Sequence, residues 1–157
     1  LPPVVVACCQ EVEKRGLDSQ GIYRISGNTS LIQKLKSIYN HPDGTHSPAD
    51  MTSDYMDINA VAGLLKLYFR ELINPLIPFE LYDEFILAAK IPDYNDRLCQ
   101  VKTLVQALPP AHYDVLKYLM AHLAKVASMS DMNKMEPSNI AIVFGPTLVR
   151  ANESDTQ

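Results

Sequence analysis

The stretch DINAVAGLLKLYFREL, residues 57–72, decides the fold. At about 100° per residue, Ile58, Val61, Ala62, Leu65, Tyr68, Phe69 and Leu72 share one broad face. A segment with that period is a helix that turns this face to a core. Pro75 stops it. Asn59, Gly63, Lys66 and Arg70 run along one flank at i, i+4, i+7 and i+11. Two cations beside a glycine read either as the rim of a contact surface or as side chains snorkelling from the core margin. Glycine within a helix costs roughly 1 kcal/mol relative to alanine, which favours a place of close approach at Gly63.

The same period recurs on both sides. Val5, Cys9 and Val12 belong to a first helix, opened by Pro3 and closed by Gly16. A second helix starts near Asn28–Thr29, with Leu31, Ile32, Leu35, Ile38 and Tyr39 as its core stripe. NHPDGTHSPAD, residues 40–50, is a loop by composition. Further helices are expected over Pro78–Lys90, over RLCQVKTLVQAL (97–108) and over HYDVLKYLMAHLAKVA (112–127) behind Pro109–Pro110. The last is expected from Pro137 to Phe144, ending at Gly145–Pro146. Its run IAIVF (140–144) is apolar on nearly all sides and reads as central core. Strand signals are scarce and no repeat stands out. The reading is one all-α domain.

Composition sets the outer limits. With 157 residues and 47% hydrophobic content, the chain can bury a sizeable core. A net charge of −4 argues against nucleic acid as the main partner. The three cysteines, Cys8, Cys9 and Cys99, lack zinc spacing, and an adjacent pair is no disulfide framework; they read as core thiols in a reducing compartment. The apolar start LPPVVVACCQ is short and has no basic leader, so neither a signal peptide nor a membrane span is expected. Without an initiator methionine the chain reads as a domain cut from a longer protein, with residues 1–150 as the domain and ANESDTQ (151–157) as the start of a linker.

Familiar chemistry is missing. No phosphate-loop motif, G-x-G-x-x-G, HExxH or G-x-S-x-G occurs. His41, His46, His112 and His122 form no ligand cluster in sequence and read as surface or core residues. A self-contained active site is not visible, and no metal site is expected.

One loop stands apart. In GIYRISGN (21–28), Gly21 and Gly27 bracket Arg24, which lies between Tyr23 and Ile25, both expected to be buried. On local grounds Arg24 is simply a loop arginine. Asn139, in the first turn of the last helix, has three open readings: a cap of its own helix, a hydrogen bond to a neighbouring loop, or a contact with a partner.

Taken together and in this order, GIYRISGN, DINAVAGLLKLYFRELINPL and MEPSNIAIVFGPTLVR resemble the three signature blocks of the Rho GTPase-activating protein domain, the RhoGAP family, and the resemblance covers nearly the entire chain. It implies a single bundle of about nine helices. It also implies a partner, a Rho/Rac-class small GTPase in its GTP state, whose hydrolysis the domain accelerates. Arg24 matches the arginine that this family supplies in trans, with Gly21, Tyr23 and Gly27 shaping its loop. Arg70 matches the arginine that braces the loop. Lys66 and Asn139 match residues that face the GTPase, and Asn59 lies on the same flank. GTP and Mg²⁺ would be carried by the partner, so no cofactor, nucleic acid or membrane insertion is implied, and the domain would be a cytoplasmic, monomeric part of a multidomain protein with no catalysis of its own. A non-catalytic GTPase-binding module of the same fold is the alternative; the arginine and its supporting residues favour catalysis. Two departures stand out: the family's E-L-P-x-P-L is Glu71-Leu72-Ile73-Asn74-Pro75-Leu76 here, and Ile140 replaces the commoner leucine.

Overall fold

Helix α3, Ile58–Arg70, lies at the centre of the bundle. A computed structural model of the chain describes residues 1–41 and 56–156. Around α3 pack α1 (Pro3–Arg15), α2 (Thr29–Tyr39) and α8 (Pro137–Leu148). The remaining helices are α4 (Tyr82–Ala89), α5 (Tyr94–Gln106), α6 (Pro110–Ser128) and α7 (Ser130–Asn133). Among the described residues these eight α-helices are accompanied by 3₁₀ turns at Phe79–Leu81 and Glu153–Thr156, the latter inside the stretch read as linker. There are no strands among the described residues. Most of the loop expected at 40–50, His46 included, lies outside them.

Local chemistry sets the helix starts. Asn28, Asp57 and Asp93 accept from the backbone N–H groups of Leu31, Asn59 and Asp96 at 3.2, 3.0 and 2.9 Å. Such caps contribute about 1 kcal/mol each. Proline opens α1, α6 and α8, where no N–H is needed.

Burial of α3 is wider than one face. Ala60, Gly63 and Leu64 are buried along with Val61, Ala62, Leu65 and Phe69, because neighbours pack on several sides. Gly63 is therefore not the edge of an open surface: a Cβ there would come within 2.5 Å of Ile32 Cδ1 on α2. Its close approach is internal, and Ile32 fills the space.

Three further expectations are corrected. Helix α8 runs on through Gly145–Pro146 to Leu148. The hydrogen bond that Pro146 cannot donate would reach Ile142, and that residue lies on the open side of the helix, 73% exposed, so its carbonyl is not left without a donor inside the core. For the same reason IAIVF is not core throughout: Ile140 and Phe144 are buried, while Ala141 and Ile142 are exposed. Cys8 and Cys9 are buried free thiols, but Cys99 is exposed on α5. Burial, with Glu13 close by, pushes the Cys9 thiol up to about 12, so it stays protonated.

The exit of α3 is tied to the end of α8. Arg150 donates to the carbonyls of Arg70 (2.9 Å) and Leu72, and the Ile77 N–H donates to Leu148 O at 3.1 Å. Asn74, in the variant stretch 71–76, accepts from the Phe79 N–H at 3.0 Å and starts the 3₁₀ turn. Among the described residues no helix is long and apolar enough to cross a membrane.

Candidate functional site

The loop between α1 and α2 carries Arg24. Within it the Gly21 carbonyl accepts from both Arg24 N–H (2.9 Å) and Ile25 N–H (2.8 Å), a tight turn. Gly21 has φ +75°. A Cβ there would meet Ile25 Cδ1 at 2.9 Å and Arg24 Nη2 at 3.4 Å, so glycine serves both conformation and space. Gly27 is needed for space alone: its Cβ would lie 2.5 Å from Asn59 O and 2.8 Å from Ala60 Cα, where the loop crosses the start of α3.

Tyr23 also has a positive φ, +71°, unusual for a large side chain and worth about 1–2 kcal/mol of strain. Both of its ends are held. The ring is fully buried and meets Phe144 edge-on at 5.0 Å and His122 at 5.8 Å between centroids. Its hydroxyl is 2.5 Å from His122 Nε2. Its carbonyl accepts from Lys66 Nζ at 2.5 Å.

The contacts continue beneath Tyr23. His122 Nδ1 is 2.9 Å from Glu13 Oε2, and Lys125 pairs with the other Glu13 oxygen. Burial holds the imidazole below its ordinary value, outweighing the pull of Glu13. Burial, reinforced by Cys9, Cys8 and Glu13, keeps the Tyr23 hydroxyl protonated. The tautomer follows from these partners. Nδ1–H donates to the carboxylate, and Nε2 accepts from Tyr23 O–H. Burial pushes the Glu13 carboxyl up, but its bonds to Lys125 and His122 leave it below the ordinary range.

The tip differs from this base. Arg24 is exposed, and its side chain makes no hydrogen bond or ion pair among the described residues. Ile25 is 43% exposed, so it is not the second anchor expected from sequence. That role falls to Ile22, fully buried. The reason is the tight turn at Gly21, which points residue 22 inward and folds residue 25 back over the glycine.

Of the other residues picked from sequence, Lys66 and Asn59 contact this loop. Lys66 is half-buried; burial, and then the charge of Arg70, lower its pKa. In the free domain the brace on the loop comes from Lys66. Arg70, one turn on, is exposed, and its guanidinium has no partner among the described residues. Asn59 lies under Gly27 with its Oδ1 buried and unpaired among the described residues, so this oxygen does not face an open surface. Asn139 donates to Lys134 O at 3.2 Å, the neighbouring-loop reading.

Three residues at this corner escaped sequence reasoning: Glu13, His122 and Asn133. Asn133 is fully buried and donates to Leu17 O and Val126 O, both at 2.8 Å, while its side-chain oxygen accepts from Met135 N–H at 2.8 Å. Its own carbonyl accepts from Gly21 N–H at 2.8 Å. It thus ties the arginine loop to the turn that Asn139 holds. Only the helical phase of His122, on the apolar side of α6, gave a signal in the sequence.

Comparison with known proteins agrees with this geometry. The family model for the RhoGAP domain matches residues 2–153. The chain is 47% identical to beta-chimaerin of Rattus norvegicus over 99% of its own length and 52% of that protein. It is 44% identical to Rho GTPase-activating protein 21-A of Xenopus laevis over 99% of this chain and 8% of the relative. The chain thus spans about half the length, or less, of these two relatives. Among solved structures, human Rho GTPase activating protein 15 superposes with a TM-score of 0.89 at 45% identity, covering 97% of this chain and 71% of that one. The BH domain of the GTPase regulator associated with focal adhesion kinase gives 0.86 at 38% identity, covering 95% and 79%. An all-helical bundle with this loop, matched from residue 2 to residue 153, belongs to the RhoGAP domain family.

Proposed function

We propose that this domain docks on a Rho-class small GTPase in its GTP state and accelerates hydrolysis by inserting Arg24 into the partner's active site. One observation carries this reading. Arg24 is an unengaged, exposed guanidinium on a loop whose base is held on both sides by buried and half-buried groups. The family membership supplies the class of partner.

The chemistry follows from charge. In the transition state of GTP hydrolysis, negative charge spreads over the γ-phosphoryl oxygens. The partner brings its own phosphate loop, Mg²⁺ and water-positioning glutamine, so this domain needs neither nucleotide nor metal of its own. What it adds is a permanent, planar positive charge with donors spaced for phosphate oxygens. In related systems an arginine supplied in trans raises the rate by ~10³–10⁵, about 4–7 kcal/mol of transition-state stabilisation. Lys66 steadies the loop beforehand. Arg70 is available to brace the finger once the partner has drawn it out, and Asn139 is assigned to the contact with the partner. In this reading the domain works in the cytoplasm as one module of a longer protein.

Single-turnover hydrolysis by a panel of GTP-loaded Rho-class GTPases tests the proposal. The domain should accelerate at least one of them, and Arg24→Ala should remove ~10³-fold or more at saturation while binding persists. Stimulation surviving in Arg24→Ala refutes the finger assignment; binding without stimulation by the native domain leaves the non-catalytic module.

A further inference from the structure

We infer that His122, held by Glu13, is a positioning residue for the arginine finger and acts through the hydroxyl of Tyr23. This rests on the reading of Arg24 given above and deepens it. A buried histidine needs partners anywhere in a core, so its hydrogen bonds alone mean little. What singles His122 out is where its acceptor nitrogen is used. Nε2 meets the hydroxyl of the residue directly before Arg24, at 2.5 Å. That residue has a backbone conformation, φ +71°, that a tyrosine adopts only when its surroundings over-determine it.

Within the core, specific contacts constrain Tyr23. Phe144 and His122 fix the ring plane. Lys66 fixes the carbonyl. The hydroxyl fixes how deep the ring sits, and among the described residues only His122 bonds it. His122 in turn cannot rotate, because Glu13 holds Nδ1 and Lys125 holds Glu13. A chain of bonded groups thus runs from α1 and α6 to the peptide that aims Arg24. Withdrawing the hydroxyl bond lets the ring shift, and the left-handed turn relaxes with it. A guanidinium that must reach a phosphoryl oxygen within hydrogen-bond distance is sensitive to displacements of about 1 Å.

The test separates aiming from folding. Tyr23→Phe keeps the ring, and His122→Gln keeps an acceptor near the position of Nε2, whereas His122→Leu keeps only volume. In stimulated single-turnover hydrolysis below the unfolding midpoint, Tyr23→Phe and His122→Leu should each lower the saturating rate by about tenfold. Half-saturation should stay within about twofold, since the docking surface is untouched. His122→Gln should recover most of the loss. In the Tyr23→Phe background, His122→Leu should cost nothing more at saturation, because the group it acts through is gone. Hydrogen exchange gives a readout that needs no GTPase: the Arg24 and Ile25 amides, both bonded to Gly21 O, should exchange faster in Tyr23→Phe and His122→Leu.

Equal losses from His122→Leu with and without the Tyr23 hydroxyl would overturn the inference. So would unchanged exchange at residues 24 and 25. If the native domain stimulates no GTPase in the panel, the functional reading fails by itself, and the exchange data still decide whether His122 sets the loop.

Discussion

Arg150 and Arg24 carry the same guanidinium and meet opposite surroundings. Arg150 reaches back from the end of α8 to the carbonyls of Arg70 and Leu72, and its guanidinium carbon lies 5.8 Å from the centre of the Phe79 ring. Both of its terminal nitrogens are engaged by the fold, and its buried Nε has no partner among the described residues. It stands beside an extended residue, Val149 with φ −128° and ψ 113°, which any side chain adopts without strain. Arg24 reverses each term. Its backbone neighbour is strained and held at both ends, while its own donors meet nothing within the described residues. A side chain that closes a helix exit needs no special backbone, because the carbonyls it binds already define its place. In the proposed function the target of Arg24 lies outside the protein, so only its own backbone aims it. A firmly held base under a free tip is therefore the mark by which the two arginines are told apart.

The largest effect that bears on this contrast is expected from charge-conserving exchange. Arg24→Lys keeps the positive charge and loses the planar fork, so stimulated hydrolysis should fall by roughly 100-fold or more. Its unfolding free energy should move by less than about 0.5 kcal/mol, as for an ordinary surface change. A lysine that sustains most of the rate would break the comparison, since a free charge of any shape would then suffice.

The opposite corner should respond in the opposite currency. Arg150→Ala removes the donors to two carbonyls and the packing on Phe79, for a loss of about 1–3 kcal/mol in stability by urea unfolding. The saturating hydrolysis rate, measured where the variant is folded, should stay within about twofold. A large rate loss at intact stability would make Arg150 part of the functional surface and erase the distinction.

How much of this contrast was legible in the chain depends on the kind of signal. Helix α3 announced itself, because a 3.6-residue period survives in sequence whatever packs on it. That Ala60 and Leu64 are buried too was not visible, since it depends on neighbours arriving from several sides. Ile25 was misplaced for a related reason: hydrophobicity asks for burial, but the turn at Gly21 decides direction, and Ile22 took the inner position. The residues of the arginine loop were legible only through family resemblance. Glu13 and His122 are 109 positions apart, and nothing local marks them as partners. Such pairs are written in tertiary geometry alone.

The smallest expected effect concerns pH, and it belongs to the base of Arg24 rather than to the corner of Arg150. Burial holds His122 below its ordinary value of 6.5, despite Glu13. In the unfolded chain the imidazole regains that ordinary value, so between the two values the unfolded state binds more protons. Stability is therefore fully present above about 6.5 and is lost as pH falls towards the folded value, with a slope of at most about 1.4 kcal/mol per pH unit for a single group. Glu13, also lowered in the fold from 4.5, adds a loss of the same sign at more acid pH, below the window that matters here. Lys125, raised by its bond to Glu13, and Tyr118, raised by burial, face the same pair and titrate far above this range. Urea unfolding of the native domain between pH 7.5 and 5 should thus show a decline that is shallower in His122→Gln, whose side chain does not titrate. Arg150→Ala should lower stability by a constant amount across that interval and leave the slope as it was. Equal slopes in the native domain and His122→Gln would mean that the imidazole is not held neutral, and the tautomer that ties Glu13 to the Tyr23 hydroxyl would have to be reassigned.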